Sequence, residues 1–306
     1  MIIKFINKAR LILQKLDKIN FEQQQIKLIL HKLQESIGRI ENRQIDGFTK
    51  NSIFDNEFRA FSQWGEDGII QFLIRNINIE RKIFVEFGVE NYTESNTRFL
   101  LVNNNWSGLV MDGSLENINY IKQDPIYWRY NLKAVRAFID KDNINNLLLE
   151  NGIKGEIGIL SIDIDGNDYW IWEAIEVVSP AIVIIEYNSR FGKDKAVTIP
   201  YNPSFIRSEA HYSMLYAGAS LKAVYNLGKA KGYSFVGSNS VGNNAFFVRS
   251  DLKPSNIREL TLEEGYVASQ FRESRDQEGN LSYLSWDETN KILFSLPLVD
   301  LESNKI

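Results

Sequence analysis

Cysteine is absent from this sequence of 306 residues, and histidine occurs only twice, at His31 and His211. Without cysteine the chain has no disulfide, thiolate zinc site, iron–sulfur cluster or cysteine nucleophile. Two histidines cannot build a histidine-rich metal cage, and a Ser-His-Asp hydrolase would have to use His211 without a G-x-S-x-G motif. A cysteine-free chain fits a reducing compartment, so we expect a cytoplasmic protein.

Long hydrophobic runs and an excess of positive charge are also missing. Hydrophobic residues make up 44% of the chain and charged residues 24%, which is typical of an ordinary folded protein. The net charge is −4, and nucleic acid is not an expected partner because phosphate binding requires clustered cations. Lysines interrupt the apolar N-terminus, which therefore resembles neither a signal peptide nor a membrane-spanning helix.

Residues 1–44 differ from the rest of the chain in charge and in periodicity. They contain nine lysines and arginines against four aspartates and glutamates, so the remaining sequence has a net charge of −9. Apolar residues recur at alternating spacings of three and four, which predicts a coiled coil. This heptad stripe consists of Ile2, Phe5, Ala9, Ile12, Leu16, Ile19, Ile26, Leu30, Leu33, Ile37 and Ile40, with Gln23 as its polar member.

The heptad stripe predicts homo-oligomerisation. Isoleucine predominates at d positions and leucine occupies two a positions, a pattern that favours three or four strands, while Gln23 at an a position would fix the register. Two alternatives are a long helix packed on the rest of the protein and a basic amphipathic helix on anionic lipid at the inner face of the membrane. Turn signals at Asp46-Gly47 and Asn51-Ser52 end the heptads, so we divide the chain into residues 1–44 and 45–306.

Residues 45–306 alternate apolar, β-branched runs with stretches of helical length. This alternation predicts an α/β fold with a Rossmann-like doubly wound sheet, mostly parallel and closed by an antiparallel hairpin. The predicted parallel strands are 82–87, 108–112, 132–139, 157–163 and 181–186, and the hairpin strands are 233–236 and 245–248.

The ends of the first two predicted strands suggest a nucleoside cofactor. Gly88 follows the first strand and lets the chain turn close to a ligand, while Asp112 ends the second and can accept hydrogen bonds from ribose hydroxyls. The loop after Gly88 lacks G-x-G-x-x-G, and its Glu90 and Glu94 would repel a pyrophosphate. S-adenosylmethionine, which has no phosphate and a cationic sulfonium, suits this loop better. The alternative is that Glu86 and Asp112 only cap loops.

Oxygen-bearing side chains gather at the ends of the fourth and fifth predicted strands. Asp163 and Asp165 lie on one side of the chain by the period of two, and Glu186 and Asn188 follow the next strand. These four residues predict a site for a hard cation, Mg²⁺ or Mn²⁺, that holds a substrate hydroxyl. In the alternative, they bind the cofactor amine and the substrate directly, and one carboxylate acts as general base.

His211 is a third candidate catalytic residue beside Asp163 and Asp165. It is the one mid-chain group with an ordinary pKa near neutrality, and its alternative role is structural. Trp64, ahead of the first strand, is a candidate for stacking on a sugar ring.

Five sequence blocks between about Phe61 and Arg249 resemble the FkbM-type methyltransferases, a family of S-adenosylmethionine-dependent enzymes with the class I fold. The blocks are Ser62-Gln-Trp-Gly-Glu-Asp; Phe84-Val-Glu-Phe-Gly followed by Ser95-Asn-Thr; Trp106-Ser-Gly ahead of Asp112; Leu160-Ser-Ile-Asp-Ile-Asp-Gly; and Ile184-Ile-Glu-Tyr-Asn. Their order and spacing make the resemblance more specific than any single block.

The resemblance implies methyl transfer to a sugar or glycan hydroxyl, in surface polysaccharide or natural-product biosynthesis. It also implies that Asp112 binds the ribose and that Asp163 lies near the reactive methyl. The remaining residues implied at the cofactor are Gln63, Glu86, Gly88, Ser95 and Asn96. The rival hypothesis is a non-catalytic nucleoside- or glycan-binding module displayed on a coiled-coil stalk.

Overall fold

A seven-stranded mixed sheet forms the centre of the protein. The computed structural model describes residues 2–45, 52–270 and 273–303. Its strands are β1 (Ile83–Phe87), β2 (Ser107–Asp112), β3 (Leu132–Arg136), β4 (Gly155–Ile162), β5 (Val178–Glu186), β6 (Val197–Thr198), β7 (Tyr233–Ser238), β8 (Asn244–Arg249) and β9 (Val299–Asp300). The order in the main sheet is β3-β2-β1-β4-β5-β8-β7, and β6 pairs with β9 in a small second sheet.

Helices connect the strands and cover both faces of the sheet. They are α1 (Ile2–Ile45), α2 (Glu66–Asn76), α3 (Arg98–Asn104), α4 (Leu115–Gln123), α5 (Pro125–Arg129), α6 (Ile144–Glu150), α7 (Asp168–Ala174), α8 (Arg207–Ala210), α9 (Leu221–Ala230), α10 (Leu262–Gly265) and α11 (Trp286–Leu293). Side-chain caps begin several of them: the hydroxyls of Ser220, Thr261 and Ser285 accept from backbone amides of the first turn.

The strand pairing confirms the predicted fold class. The five strands β1 to β5 pair in parallel, and β8 joins β5 and β7 in antiparallel pairs. The sheet is thus Rossmann-like, with a closing antiparallel hairpin. The third strand ends at Arg136 rather than at 139, since Phe138 turns outward and is 54% exposed.

Side chains alternate between two apolar layers along the strands. Phe84 and Ile159 belong to the layer beneath α2 and α3, while the adjacent Val85 and Leu160 belong to the layer beneath α7 and α9. Strands buried on both faces explain the continuous apolar runs of the sequence.

The last third of α1 packs against the body, by which we mean residues 52–303. Gly38 is buried, and a Cβ at this position would lie 2.7 Å from Cε2 of Phe99. Arg75 donates a hydrogen bond of 2.6 Å to the carbonyl oxygen of Asn42. The alternative of a helix packed on the rest of the protein therefore holds for this part of α1. The turn signals at Asp46-Gly47 and Asn51 lie outside the described residues.

None of the helices in the described ranges combines the length and hydropathy that a bilayer crossing requires.

Candidate active site

Sheet register brings the predicted site residues to one edge. Phe87, the last residue of β1, lies beside Met111 of β2 and Ile162 of β4, and Ile162 lies beside Ile185 of β5. The next residues along these strands are Gly88, Asp112, Asp163 and Glu186. Because parallel strands all end at the same edge, these residues meet beyond the carboxyl ends, where such sheets bind ligands.

Gly88 permits a close approach between β1 and β4. Its φ is +69°, and a Cβ built there would lie 1.6 Å from the carbonyl oxygen of Asp163. A side chain is excluded at this position on both grounds. The glycine therefore fixes how closely the first loop passes the end of β4.

A cavity of about 370 Å³ opens above this edge. Its size lies within the range of small-molecule sites. Eight predicted residues are among those that line it: Gln63, Glu86, Gly88, Ser95, Asn96, Asp163, Asp165 and Glu186. Asn188 and Trp64 line it too, but among the described lining residues neither Asp112 nor His211 occurs.

Glu86 holds the loop that leads into α3. One carboxylate oxygen accepts from the backbone amide of Asn96 at 2.8 Å, and the other accepts from the amide and hydroxyl of Thr97. The side-chain amide of Asn96 donates to Oγ of Ser161 at 3.1 Å. Burial raises the pKa of Glu86 to about 7. Glu86 thus fixes the cavity wall. Its contacts in the structure are those of a residue that caps a loop, which is the alternative role given to it in the sequence analysis.

Asp112 also holds loops. Its two oxygens accept from the backbone amides of Glu90 at 2.9 Å and Ser114 at 2.8 Å, and from the side-chain amide of Asn117 at 3.0 Å. A carboxylate has about four acceptor positions, so these bonds leave room for one more donor.

Three carboxyls form an acidic cluster, defined here as Asp163, Asp165 and Glu186. Each offers an oxygen, and the three oxygens lie within 4.8 Å of one another. The pKa of Asp163 and the pKa of Glu186 are both raised well above their ordinary values, first by burial and then by the neighbouring carboxylates. Because like charges are crowded there, the acidic cluster favours binding a proton or a cation.

The side chain of Asn188 is hydrogen-bonded to backbone groups of its own loop and of the loop at residues 215–217. Its side-chain amide donates to the carbonyl oxygens of Leu215 at 2.9 Å and Ala217 at 3.0 Å, and its Oδ1 accepts from the backbone of Arg190 at 3.1 Å. These bonds stabilise the cavity wall below β5.

Arg207 is a site residue that the sequence analysis missed. It donates to Asp165 at 2.7 Å, to Glu273 at 2.8 Å and to the carbonyl oxygen of Met214 at 2.9 Å. Burial opposes its charge, but Glu186, Glu273 and Asp165 together raise its pKa above the ordinary value. Its acidic partners are 42 and 66 residues away along the chain, so no local sequence pattern predicts these contacts.

His211 makes local contacts. Its Nδ1 lies 2.8 Å from Oγ of Ser213, and its ring lies 4.3 Å from the ring of Tyr212. Burial lowers its pKa below the ordinary value. Among the described residues that line the cavity, the acidic cluster is present but His211 is not. The contacts of His211 are those of a structural histidine.

Glu66 and Asp67, which follow Gly65, stabilise the rim of the cavity. One oxygen of Asp67 accepts from the backbone amides of Ala60, Phe61 and Ser62, each at 2.7 Å. Glu66 accepts from the side-chain amide of Asn244 in β8 at 3.0 Å. The turn that carries Gln63 and Trp64 is thereby fixed to the sheet, a role that the sequence analysis did not assign.

Several solved structures are similar to this chain at low sequence identity. The N-terminal domain of EvdMO1 with S-adenosylhomocysteine bound is 12% identical, over 61% of this chain and 80% of that chain, with a TM-score of 0.40. An S-adenosylmethionine-dependent methyltransferase from Clostridium acetobutylicum is 11% identical, over 60% of this chain and 88% of that chain, with a TM-score of 0.39.

A third structure is the plantazolicin methyltransferase BamL in complex with a triazolic desmethylPZN analog and S-adenosylhomocysteine. It is 16% identical, over 65% of this chain and 70% of that chain, with a TM-score of 0.37. No family model matches the sequence, and no curated protein matches it. At these identities and TM-scores the similarity carries no conclusion about function.

Proposed function

We propose that this chain is an S-adenosylmethionine-dependent methyltransferase of the FkbM type that methylates a hydroxyl oxygen of a sugar or glycan. The observation that supports it best is the juxtaposition of Gly88 with Asp163 beneath the cavity. Gly88 lines the cavity, and the carboxyl-bearing residues Asp163 and Glu186 line it as well.

The cofactor lies across the ends of β1, β2 and β4 in this proposal. Glu86, Gln63, Ser95 and Asn96 form the wall at its methionine end, as the resemblance implies. Asp112 binds the ribose with the acceptor position that its loop contacts leave unused. The site is cytoplasmic, where the methyl donor is available.

Methyl transfer needs alignment and one base. Bound S-adenosylmethionine would supply the sulfonium methyl, and the electrons of its carbon–sulfur bond would stay with sulfur in the product S-adenosylhomocysteine as the acceptor oxygen bonds to the methyl. Asp163 or Glu186 takes the hydroxyl proton, because burial and the neighbouring carboxylates raise the pKa of both and make them stronger bases than exposed carboxylates. Trp64 lines the cavity and is the aromatic residue that we assign to the sugar in this proposal.

The acidic cluster also fits a hard divalent cation. Asp163, Asp165 and Glu186 would hold Mg²⁺ or Mn²⁺, which prefer carboxylate oxygens. Such an ion supplies Lewis-acid polarisation of the acceptor hydroxyl. Arg207 already neutralises part of the charge on Asp165, which favours the alternative in which a carboxylate acts directly.

A radiolabelled methyl donor incubated with a panel of sugars and sugar nucleotides tests the proposal. We expect label in one acceptor class, and Asp163→Asn should lower the rate by about 10²- to 10⁴-fold while the variant still binds S-adenosylhomocysteine. Full activity in excess chelator would exclude the metal, whereas loss that Mg²⁺ or Mn²⁺ restores would establish it. Cofactor binding without transfer to any acceptor would favour a non-catalytic binding module.

A further inference from the structure

The contacts of α1 with the body use one face of the helix and leave the heptad stripe free. Leu28, His31, Glu35, Gly38 and Asn42, which are shielded by the body or lie against it, occupy b and f positions. Gln34, which donates to the carbonyl oxygen of Ala60, and the partly buried Glu41 lie at e positions, at the edge of the same face. At about 100° per residue, the centre of this b and f face is roughly 150° around the helix from the a and d positions.

The described apolar side chains of the heptad stripe are exposed. Phe5, Ile12, Leu16, Ile19, Ile26, Leu30, Leu33, Ile37 and Ile40 are between 49% and 76% exposed. Nine such half-exposed side chains amount to roughly 800 Å² per copy, which is the contribution of one partner to a standard stable interface. Contiguous apolar surface of this extent marks an interaction site.

We propose that the heptad stripe of α1 pairs with the same stripe of further copies of this chain, in a parallel coiled coil with the bodies on its outside. A partner for this stripe must repeat apolar residues every seven positions over the same length, and α1 of a second copy does so. The b and f face of each helix stays on its own body.

Charge supports the parallel orientation. In a parallel coil, a g position faces the e position five residues further along the partner helix. Glu22 at g then faces Lys27 of the second copy, and along α1 none of these g and e pairs joins like charges. Gln23 meets its own counterpart, which fixes the register. Leucine at a with isoleucine at d favours more than two strands.

Light scattering of the full chain at micromolar concentration tests the association. We expect a multiple of the 35.3 kDa chain mass. The double variant Leu16→Glu, Ile26→Glu should be monomeric because it buries two charges in the seam. Phe21→Glu is the matched control, since Phe21 is 61% exposed against 56% for Ile26 but lies at an f position.

Phe21→Glu should keep the wild-type mass, and all variants should keep the thermal unfolding of the body. A monomeric wild type, or equal loss of mass in the control, would overturn the proposal. Vesicles of phosphatidylcholine and phosphatidylserine provide a second arm. A monomeric chain that floats with them would show that the stripe binds lipid instead.

Cysteine cross-linking tests the orientation, because the wild-type chain contains no cysteine. Ile12→Cys near one end of the stripe should form a disulfide with its own counterpart in a parallel coil. An antiparallel coil would instead cross-link Ile12→Cys only with a cysteine near the other end, such as Leu33→Cys. That second pattern would contradict the parallel arrangement.

Discussion

At the scale of single residues, Gly88 has the most restricted environment in the site. Its φ of +69° strains any residue with a side chain, and a Cβ at this position would lie only 1.6 Å from the carbonyl oxygen of Asp163. Gly88→Ala should therefore lower the free energy of unfolding by about 3 kcal/mol or more and abolish cofactor binding. Urea unfolding and calorimetry measure the two effects.

Gly152 provides the matched control for Gly88. Its φ is +80°, but nothing lies within 4 Å of a Cβ there. Gly152→Ala should cost only about 1 kcal/mol, the strain of the backbone alone, and leave binding unchanged. Equal losses at the two positions would contradict the close approach of β1 to β4.

Glu86 links stability to pH. Burial raises its pKa from 4.5 to about 7, so the folded protein keeps this proton to a higher pH than the unfolded chain does. The stabilisation is complete below pH 4.5 and is lost as the pH rises through about 7. By linkage this is on the order of 3 kcal/mol.

Chemical unfolding of wild type and Glu86→Gln across this pH range checks the linkage. The variant loses one acceptor and should be less stable at low pH, by about 1 to 3 kcal/mol. Its dependence on pH should also be flatter, with the residual slope due to Asp67 and Asp168, whose pKa values burial raises to about 6. Parallel curves for the two proteins would refute the assignment.

Arg207 should set the pH range of catalysis. Its charge lowers the pKa values of Asp163 and Glu186, against the effects of burial and of the neighbouring carboxylates. In Arg207→Met these pKa values rise further, so the acid limb of the rate profile should move to higher pH. A kinetic pH profile with a methyl acceptor measures the shift.

Arg249 is the matched control for Arg207. It is similarly buried and also binds two carboxylates, those of Glu156 and Asp251, but it does not occur among the described cavity-lining residues. Arg249→Met should lose stability without moving the profile. If Arg207→Met behaves in the same way, Arg207 has only a structural role.

At the scale of elements, the docking of α1 depends on one small residue. Gly38→Leu would push a side chain into Phe99 and Ala60, whose nearest atoms are 2.7 and 2.8 Å from a Cβ. We expect faster hydrogen exchange over residues 28–45 and a loss of about 1 to 3 kcal/mol. Ser36→Leu, on the exposed side of the same turn, should leave exchange unchanged, and equal exchange in both variants would argue against this contact.

The elements that the sequence alone predicted are those with a clear pattern of apolar residues. The seven strands of the main sheet carry apolar runs because both faces are buried, and α1 carries heptads. The pair β6 and β9 was missed because two-residue strands have no period, and α10 and α11 lie in a segment without clear patterning. Contacts of Arg207 with Asp165 and Glu273 depend on how distant loops meet, which no local spacing encodes.

At the scale of the whole molecule, the body contains the candidate active site and α1 carries the exposed heptad stripe. The sheet edge carries the cavity and the acidic cluster, while α1 contacts the body with one face and exposes the heptad stripe on another. In our two proposals, several methyltransferase bodies surround one coiled-coil stalk.

The most direct test of the central proposal is calorimetric titration of the full chain with S-adenosylhomocysteine, the product of the proposed reaction. We predict one site per chain with an affinity between low micromolar and submillimolar, about −5 to −7 kcal/mol. Asp112→Ala should weaken binding by about 1.5 to 3 kcal/mol, because the ribose loses a charged acceptor. An absence of binding at millimolar ligand, or preferential binding of a nicotinamide dinucleotide, would contradict the assignment of this cavity to a methyl donor.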